Sequence, residues 1–379
     1  MPTERRREQA GGRELTEARV RAIRRGLLRW YDRNQRVLPW RAGRGERADA
    51  YHVLVSEAML QQTQVATVLP YFERFVSELP TLADLARADE QRVLRLWQGL
   101  GYYRRARHLH AAAKAIERDH GGRVPASVEE LLKLPGVGRY TAGAIASIAF
   151  GKRTAILDGN VARVLARLFV IDRPVDDTST KRVMWALAER LVPVRRPGDF
   201  NQAMMELGAL VCVRANPDCA ACPLARMCEA QSQGRVAELP VPAKRKAPMS
   251  VHHHVIAIRR RGKWLFHQRP NDGLWSGMWQ MPTAEHWPAD AEPEQMARWV
   301  EEWFGLKVQA DDCVGGFIHQ TTHRAIKFHV WNAEVLSGRL RRGSGVWRRL
   351  DTVDDLPMSN PQRRVIGLVS QDKAGPGEA

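Results

Sequence analysis

Up to about Gln231 the apolar positions recur every three or four residues. Val161, Val164, Leu165 and Leu168 form one such set, which draws an apolar stripe along one face of a helix. Short breaks rich in glycine and proline separate these stretches, at Leu79-Pro80, Gly121-Gly122, Leu134-Pro135-Gly136 and Asp158-Gly159. The pattern predicts an almost wholly helical region. From about Val251 to Ser370 the texture changes. Val255-Ile256-Ala257-Ile258 and Lys327-Phe328-His329-Val330-Trp331 predict short strands, and Glu294 to Phe304 predicts one helix. This second region is therefore α+β. Between the two, Pro240, Pro242, Pro248 and the basic run Lys244-Arg245-Lys246 mark an exposed linker, whose charges suit solvent or phosphates alike. The expected divisions are 14–231, 232–250 and 251–370, with a frayed end beyond.

Length agrees with this division: 379 residues, at roughly 150 per domain, make two or three domains. An apolar fraction of 44% excludes a wholly disordered chain. Charge adds a partner class. Lys and Arg number 59 against 42 Asp and Glu, a formal net charge of +17, which favours a polyanion: nucleic acid first, an anionic membrane surface second. No run of about 18 apolar residues predicts a membrane span. The tract from Met1 to Arg13 is charged and polar, unlike a secretory signal. Five cysteines do not make a secreted disulfide scaffold, and a reducing compartment is expected.

Four of those cysteines fall in one run, Cys212-x6-Cys219-x2-Cys222-x5-Cys228, while Cys313 stands alone. Four thiolates so close in sequence can converge on one tetrahedral centre; spacing alone leaves zinc and iron–sulfur both open. Leu134-Pro135-Gly136-Val137-Gly138-Arg139-Tyr140-Thr141 offers a second feature. Its glycines permit a tight turn, and a helix starting near Tyr140 would aim its positive end there, so the turn is either a phosphate seat or an ordinary helix–helix connection.

Two carboxylates complete the candidate chemistry. Glu57, in Ser56 to Val65, is expected near the start of a helix, sharing a face with Gln61. Apolar Ala58, Met59 and Leu60 follow it, so it is either a general acid with a raised pKa or a capping carboxylate. Asp158 precedes the apolar-periodic Val161 helix and reads as its N-cap. An acid paired with a cation-stabilising carboxylate is the pattern of glycosidic bond cleavage.

Six strings together resemble the adenine DNA glycosylase family of the helix–hairpin–helix base excision repair superfamily. They are Leu38-Pro39-Trp40-Arg41, Ser56 to Val65, Leu96 to Tyr103, Leu134 to Ala144, Leu157 to Val161, and Phe200 to Gly208 leading into Cys212. The resemblance implies a mainly α helix–hairpin–helix glycosylase fold with an iron–sulfur cluster loop, plus a C-terminal α+β Nudix-like domain. It implies a monomeric bacterial cytoplasmic enzyme, associated with the nucleoid, that removes adenine opposite 8-oxoguanine or guanine in duplex DNA. Within it Glu57 would protonate adenine, Asp158 would stabilise the cationic sugar, and Tyr140 and Asn160 would position Asp158 and the sugar. Trp40, Arg41, Gln62 and Gln202 would line the adenine pocket. Leu100 and Tyr102 would enter the duplex, and Gly136, Gly138 and Thr141 would hold its backbone. Cys212, Cys219, Cys222 and Cys228 would carry a [4Fe-4S] cluster. Bifunctional relatives place a lysine where Tyr140 stands; tyrosine forms no Schiff base, so base excision without strong lyase activity is expected. Rival readings are a thymine or uracil glycosylase, a non-catalytic DNA binder, and an electron-transfer protein.

Trp264 to Pro270 and Gly273 to Pro282 resemble a Nudix-like domain. Its acidic metal-binding helix would correspond to Arg298 to Gly305, where Trp299 replaces the first Glu while Glu301 and Glu302 remain, so no nucleotide hydrolysis is expected. The family's His-x-Phe-Ser-His loop is here His319-Gln320-Thr321-Thr322-His323. Thr322 keeps a hydroxyl and, with His323, would recognise 8-oxoguanine; Thr321 cannot stack as an aromatic would. His252-His253-His254 reads as the start of a strand rather than a metal site, because no acidic partner is near in sequence.

Overall fold

The computed structural model describes residues 15–43, 46–242 and 247–371. The charged N-terminal tract, the Lys244-Arg245-Lys246 run and the expected frayed end lie outside these residues. Among the described residues no helix is long and apolar enough to cross a membrane. By contacts the chain divides into two units. One holds the chain up to Arg87 and the stretch from His108 to the linker; the other holds Ala88–Arg107 and the C-terminal part.

Helices dominate the described residues up to about 240. In chain order they are α1 Glu17–Asn34, α2 Ala50–Leu60, α3 Val65–Glu78, α4 Leu82–Arg87, α5 Glu90–Trp97, α6 Arg104–His120, α7 Val128–Leu132, α8 Arg139–Ile148, α9 Gly159–Leu168, α10 Thr178–Leu191, α11 Pro197–Leu210 and α12 Glu229–Ser232. The predicted stripe is real: α9 buries Val161, Val164, Leu165 and Leu168. They join Val20, Ile23 and Leu27 of α1, Met184 and Leu191 of α10, and Phe200, Ala203 and Leu207 of α11 in one core. The expected breaks also hold. Gly121 and Gly122 take positive φ, and Leu79 ends α3. α2 differs from the stripe pattern, burying Tyr51, Val53, Leu54, Val55, Ser56, Glu57 and Met59, so it runs through the interior.

The other unit is built on a sheet of β1 Met249–Arg260, β2 Lys263–Gln268, β3 Trp279–Gln280, β4 Thr283–Glu285, β5 Leu306–Gln320, β6 Arg324–Gly338 and β7 Val346–Arg348. The main path runs β3-β2-β1-β6-β5, with β4 paired to β1 and β7 to β2. Among the described strand pairs only β1–β6 is parallel, and one isolated parallel bridge joins Trp279 to Met358. Alternation along β1 makes two cores. Val255 and Ala257 face one, with Val365 and Val369 of α14 Asn360–Gln371; Ile256 and Ile258 face the other, with Met296, Val300 and Phe304 of α13 Pro293–Phe304. The predicted helix and both predicted strands are present, but β1 and β6 extend beyond the apolar runs because they pair with each other over Met249 to Arg259.

Ala88–Arg107 groups with this sheet through specific bonds. Tyr103 Oη donates to the Met358 carbonyl at 3.3 Å, Met358 N donates to Gln98 Oε1 at 2.9 Å, and Arg107 Nη1 donates to Ser276 Oγ at 2.8 Å. Side-chain pairing, rather than the helical period, decides where this segment belongs.

Candidate active site

Asp158 occupies the N-cap of α9. Its Oδ1 accepts from Val161 N at 2.7 Å and its Oδ2 from Asn160 Nδ2 at 3.2 Å. The capping role and the candidate chemical role therefore coincide: the cap fixes the carboxylate at the positive end of a helix. Burial raises the Asp158 pKa, and the bonds from Val161 and Asn160 pull against that rise.

Glu57 is positioned differently from the sequence expectation. α2 starts at Ala50, capped by Asp49, which accepts from His52 N at 2.8 Å. Glu57 thus lies near the end of α2, and Gln61 is its C-cap residue. The string Ser56 to Val65 finishes one helix and turns into α3, because the apolar residues before Ser56 already form an interior helix. A capping role for Glu57 is thereby removed. Glu57 is 5% exposed, and its Oε2 has no hydrogen-bond partner. Burial, and then the neighbouring Asp158 charge, push its pKa up to about 7, against lowering by the Tyr140 hydroxyl and Arg41. The Tyr140 hydroxyl also donates to Met205 Sδ at 3.2 Å; its one proton serves one acceptor at a time. Burial and both carboxylates raise the Tyr140 pKa.

Glu57, Asp158, Tyr140 and Asn160 line one cavity of about 780 Å³, together with Trp40, Arg41, Gln62 and Gln202. All eight candidates for catalysis and base pocket are thus brought together, from α2, α8, α9, α11 and the turns beside them. Gln62 holds a left-handed φ of 60° in the turn after α2. Trp40 and Gln202 are buried, and Trp40 meets Phe72 edge to face at 5.0 Å. Gly208 lets α11 approach α9, since a Cβ there would stand 2.7 Å from Asn160 Cβ.

Three residues of the site had no expected role. Glu206 of α11 accepts from Arg36 Nε at 2.7 Å and from Arg41 Nη2 at 2.9 Å. Burial alone would raise its pKa, but the two guanidiniums bring it down to about 2. Arg163 donates to Asn160 Oδ1 at 2.7 Å, to the Cys212 carbonyl at 2.8 Å and to the Gly208 carbonyl at 2.8 Å. It ties the Asp158–Asn160 pair to the start of the cysteine run. The available signal was a glutamate inside the apolar run Phe200 to Gly208, which demands a cationic partner.

The cysteines are all free of disulfides. Burial raises the pKa of Cys219, Cys222 and Cys228, and each also responds to the charge of Cys212. Arg167, 2% exposed, donates to Cys212 Sγ at 3.4 Å and to the carbonyls of Val213, Arg214 and Leu239. Four free cysteines in one run, with a buried guanidinium beside Cys212, supply the soft sulfur donors that iron or zinc takes. The donor set therefore fits a thiolate-held cluster.

At the expected turn, α8 begins at Arg139 with Gly138 as N-cap and no side-chain cap. Gly136 takes φ 74°, and a Cβ there would meet His108 Cβ at 2.4 Å, so glycine is required. Gly136 and Gly138 are exposed; Thr141 is buried, its hydroxyl accepting from Gln61 Nε2 at 3.5 Å. Thr141 can reach an outside phosphate only through its backbone. Tyr102 is 52% exposed, with φ 48°, whereas Leu100 is buried.

Thr321-Thr322-His323 forms the tip between β5 and β6, with Thr322 and His323 exposed. Thr321 closes that turn: its Oγ1 accepts from Arg324 N at 3.0 Å, and its N donates to the Arg324 carbonyl at 2.8 Å. On α13, Glu301 is exposed and pairs with Lys307 at 3.7 Å, while Trp299 packs against Phe304.

Residues 55–190 match the family described as HhH-GPD superfamily base excision DNA repair protein, and residues 254–368 match the NUDIX domain. The chain is similar to the adenine DNA glycosylase of Homo sapiens, 37% identical over 83% of this chain and 67% of that protein. It is also similar to the adenine DNA glycosylase of Rattus norvegicus, 38% identical over 94% of this chain and 80% of that protein. A solved thermostable thymine-DNA glycosylase superposes over 58% of this chain and 100% of that one, at 28% identity and a TM-score of 0.52. A helical unit with a buried and a half-buried carboxylate on one cavity, joined in sequence to a Nudix-like sheet, is accounted for by these likenesses: the chain belongs to the adenine DNA glycosylase family, base excision repair hydrolases that act on N-glycosyl bonds.

Proposed function

We propose that this chain hydrolyses the N-glycosidic bond of adenine mispaired with 8-oxoguanine or guanine in duplex DNA, without strong lyase activity. The observation that carries this reading is the buried Glu57, with its unpartnered Oε2, on the same cavity as the capped Asp158. With a pKa near 7, Glu57 holds a proton that it can donate to a ring nitrogen of adenine. The C1′–N bond then breaks, its electron pair leaves with the base, and the sugar becomes an oxocarbenium ion. Asp158, fixed by Val161 and Asn160, stabilises that cation. The Glu57 carboxylate then takes a proton from the water that attacks C1′, which returns Glu57 to its starting form. Trp40, Arg41, Gln62 and Gln202 hold the flipped base, and Tyr102 meets the duplex where it is opened. Backbone N–H groups at Gly136, Gly138 and Thr141 take a phosphate. Thr322 and His323 read the partner base.

Cys212, Cys219, Cys222 and Cys228 would hold a [4Fe-4S] cluster, whose contribution is to brace the loop they span. About four iron atoms per chain, with visible absorbance, support this; zinc overturns it. Single-turnover base release tests the main reading. Duplexes carrying A opposite 8-oxoguanine should react fastest, then A opposite G. Release confined to T or U opposite G would favour a thymine-type glycosylase instead. Borohydride should trap no strong covalent complex, since Tyr140 has no amine.

A further inference from the structure

Three consecutive histidines in β1 meet different surroundings. His254 is fully buried, yet both its ring nitrogens are engaged: Trp331 Nε1 lies 3.0 Å from Nδ1, and the Pro288 carbonyl lies 2.9 Å from Nε2. His252 shares its Nδ1 with His329 Nε2 at 2.9 Å. His253 points to the other face of the sheet. It is 1% exposed, and neither of its ring nitrogens has a hydrogen-bond partner. An ordinary core histidine resembles His254; His253 leaves two polar atoms sealed and unpaired, which natural cores rarely tolerate.

The antiparallel pairing of β1 with β4 sets His253 directly opposite Glu285, and His286 follows at the end of β4. One ligand atom from each of His253, Glu285 and His286 lies within 4.8 Å of the other two. The acidic partner that is missing near His253 in sequence arrives across the sheet. Arg269 donates to Glu285 Oε1, as well as to Gln280 Oε1 and the Leu274 carbonyl. It thereby fixes the carboxylate, as outer hydrogen bonds do around metal ligands, and its positive charge moderates the affinity.

We propose that His253, Glu285 and His286 form a binding site for one divalent transition-metal ion, with zinc the preferred occupant. Two imidazoles and one carboxylate suit zinc, whereas calcium and magnesium take oxygen ligands. Three protein ligands leave a fourth position for water. The ion satisfies a buried nitrogen of His253 and clamps the end of β4 to the middle of β1. None of its residues belongs to the cysteine run or lines the cavity that holds Glu57.

The test uses the full chain with its iron content measured, freed of loose metal by a chelator and then titrated with zinc chloride. The wild type should take up one zinc per chain more than His286→Asn, with affinity at least about tenfold lower in the variant. His286 is exposed and holds a left-handed φ of 57°, which asparagine tolerates, so this variant keeps the fold. His253→Gln should lose the same zinc. Cobalt(II) bound by the wild type should show ligand-field bands without thiolate charge transfer. Equal zinc uptake by wild type and both variants, no uptake at stoichiometric zinc, or a purely thiolate cobalt spectrum would each overturn the site.

Discussion

Around the Glu57 cavity, Glu57 Oε2 itself has no partner, but the charged groups beside it are held by residues distant in the chain. Glu206 on α11 holds Arg36 and Arg41 from the segment after α1, and Arg163 on α9 holds Asn160 and the Cys212 and Gly208 carbonyls. The β5–β6 tip is built the opposite way. Thr321 bonds only within its own turn, Met249 N donates to the His323 carbonyl at 3.0 Å, and Thr322 and His323 face solvent. The first region is preorganised by long-range pairs, so a change there should cost chemistry or stability outright. The second offers single, exposed groups on a self-closed turn, so a change there should alter preference by small factors.

The sharpest attempt to break this contrast is Glu57→Gln. Base release should fall by about 10²- to 10⁴-fold, as expected for loss of a general acid, while duplex binding persists. A fall of only a few-fold would remove Glu57 from the chemistry. Second in size is Glu206→Ala, which strands Arg36 and the nearly buried Arg41. It should destabilise the helical unit by about 3–5 kcal/mol in denaturant unfolding. An unchanged midpoint would show that the pairs are not structural.

A pH series separates these two roles. The folded Glu57 pKa is raised to about 7, so the acid is protonated below that value and lost above it. Single-turnover release should decline above pH 7 by up to about tenfold per unit, and fall again in acid where the Asp158 carboxylate takes up a proton. Stability carries the same sign. The unfolded carboxyl ionises in its ordinary range, so folded protein binds more protons between there and pH 7, and its stability declines as pH rises through that window. Glu57→Gln should abolish that decline and be the more stable protein above pH 7. A wild-type rate that rises through pH 7 would contradict proton donation by Glu57.

What could be read from the residues divides along the same line. Asp158 was legible because an N-cap is a local event, settled between Asp158 and Val161. The α9 stripe and the two-sided β1 were legible because period alone decides which face is buried. Glu57 was legible as a carboxylate among apolar neighbours, but its place in α2 was not, since the apolar run before it extends the helix upstream. The Glu206 pairs join residues about 170 positions apart, and the His253–Glu285 pairing depends on strand register, so neither has a local signal. Likewise, the grouping of Ala88–Arg107 with the sheet rests on bonds such as Gln98 to Met358. The likeness of the whole strings, rather than any spacing, is what joined Glu57 to Asp158.

The smallest effect belongs to the hairpin tip. If Thr322 reads the partner base through its hydroxyl, Thr322→Ala should reduce the preference for A opposite 8-oxoguanine over A opposite G by about two- to tenfold, the worth of one hydrogen bond. The rate on A opposite G should stay constant, because the Glu57 cavity is untouched. Thr321→Phe is the complementary change. It restores the aromatic usual in the family but removes the Oγ1 that accepts from Arg324 N, so the turn must find another closure. Stacking and turn closure then oppose each other at one position. A gain in preference without loss of stability would show that the turn tolerates the aromatic, and that Thr321 marks a weakened reader. A loss of both would show that this chain has exchanged stacking for a rigid tip, with Thr322 and His323 as its remaining contacts. Equal preference in wild type, Thr322→Ala and Thr321→Phe would remove the β5–β6 tip from recognition and leave discrimination to the helical unit.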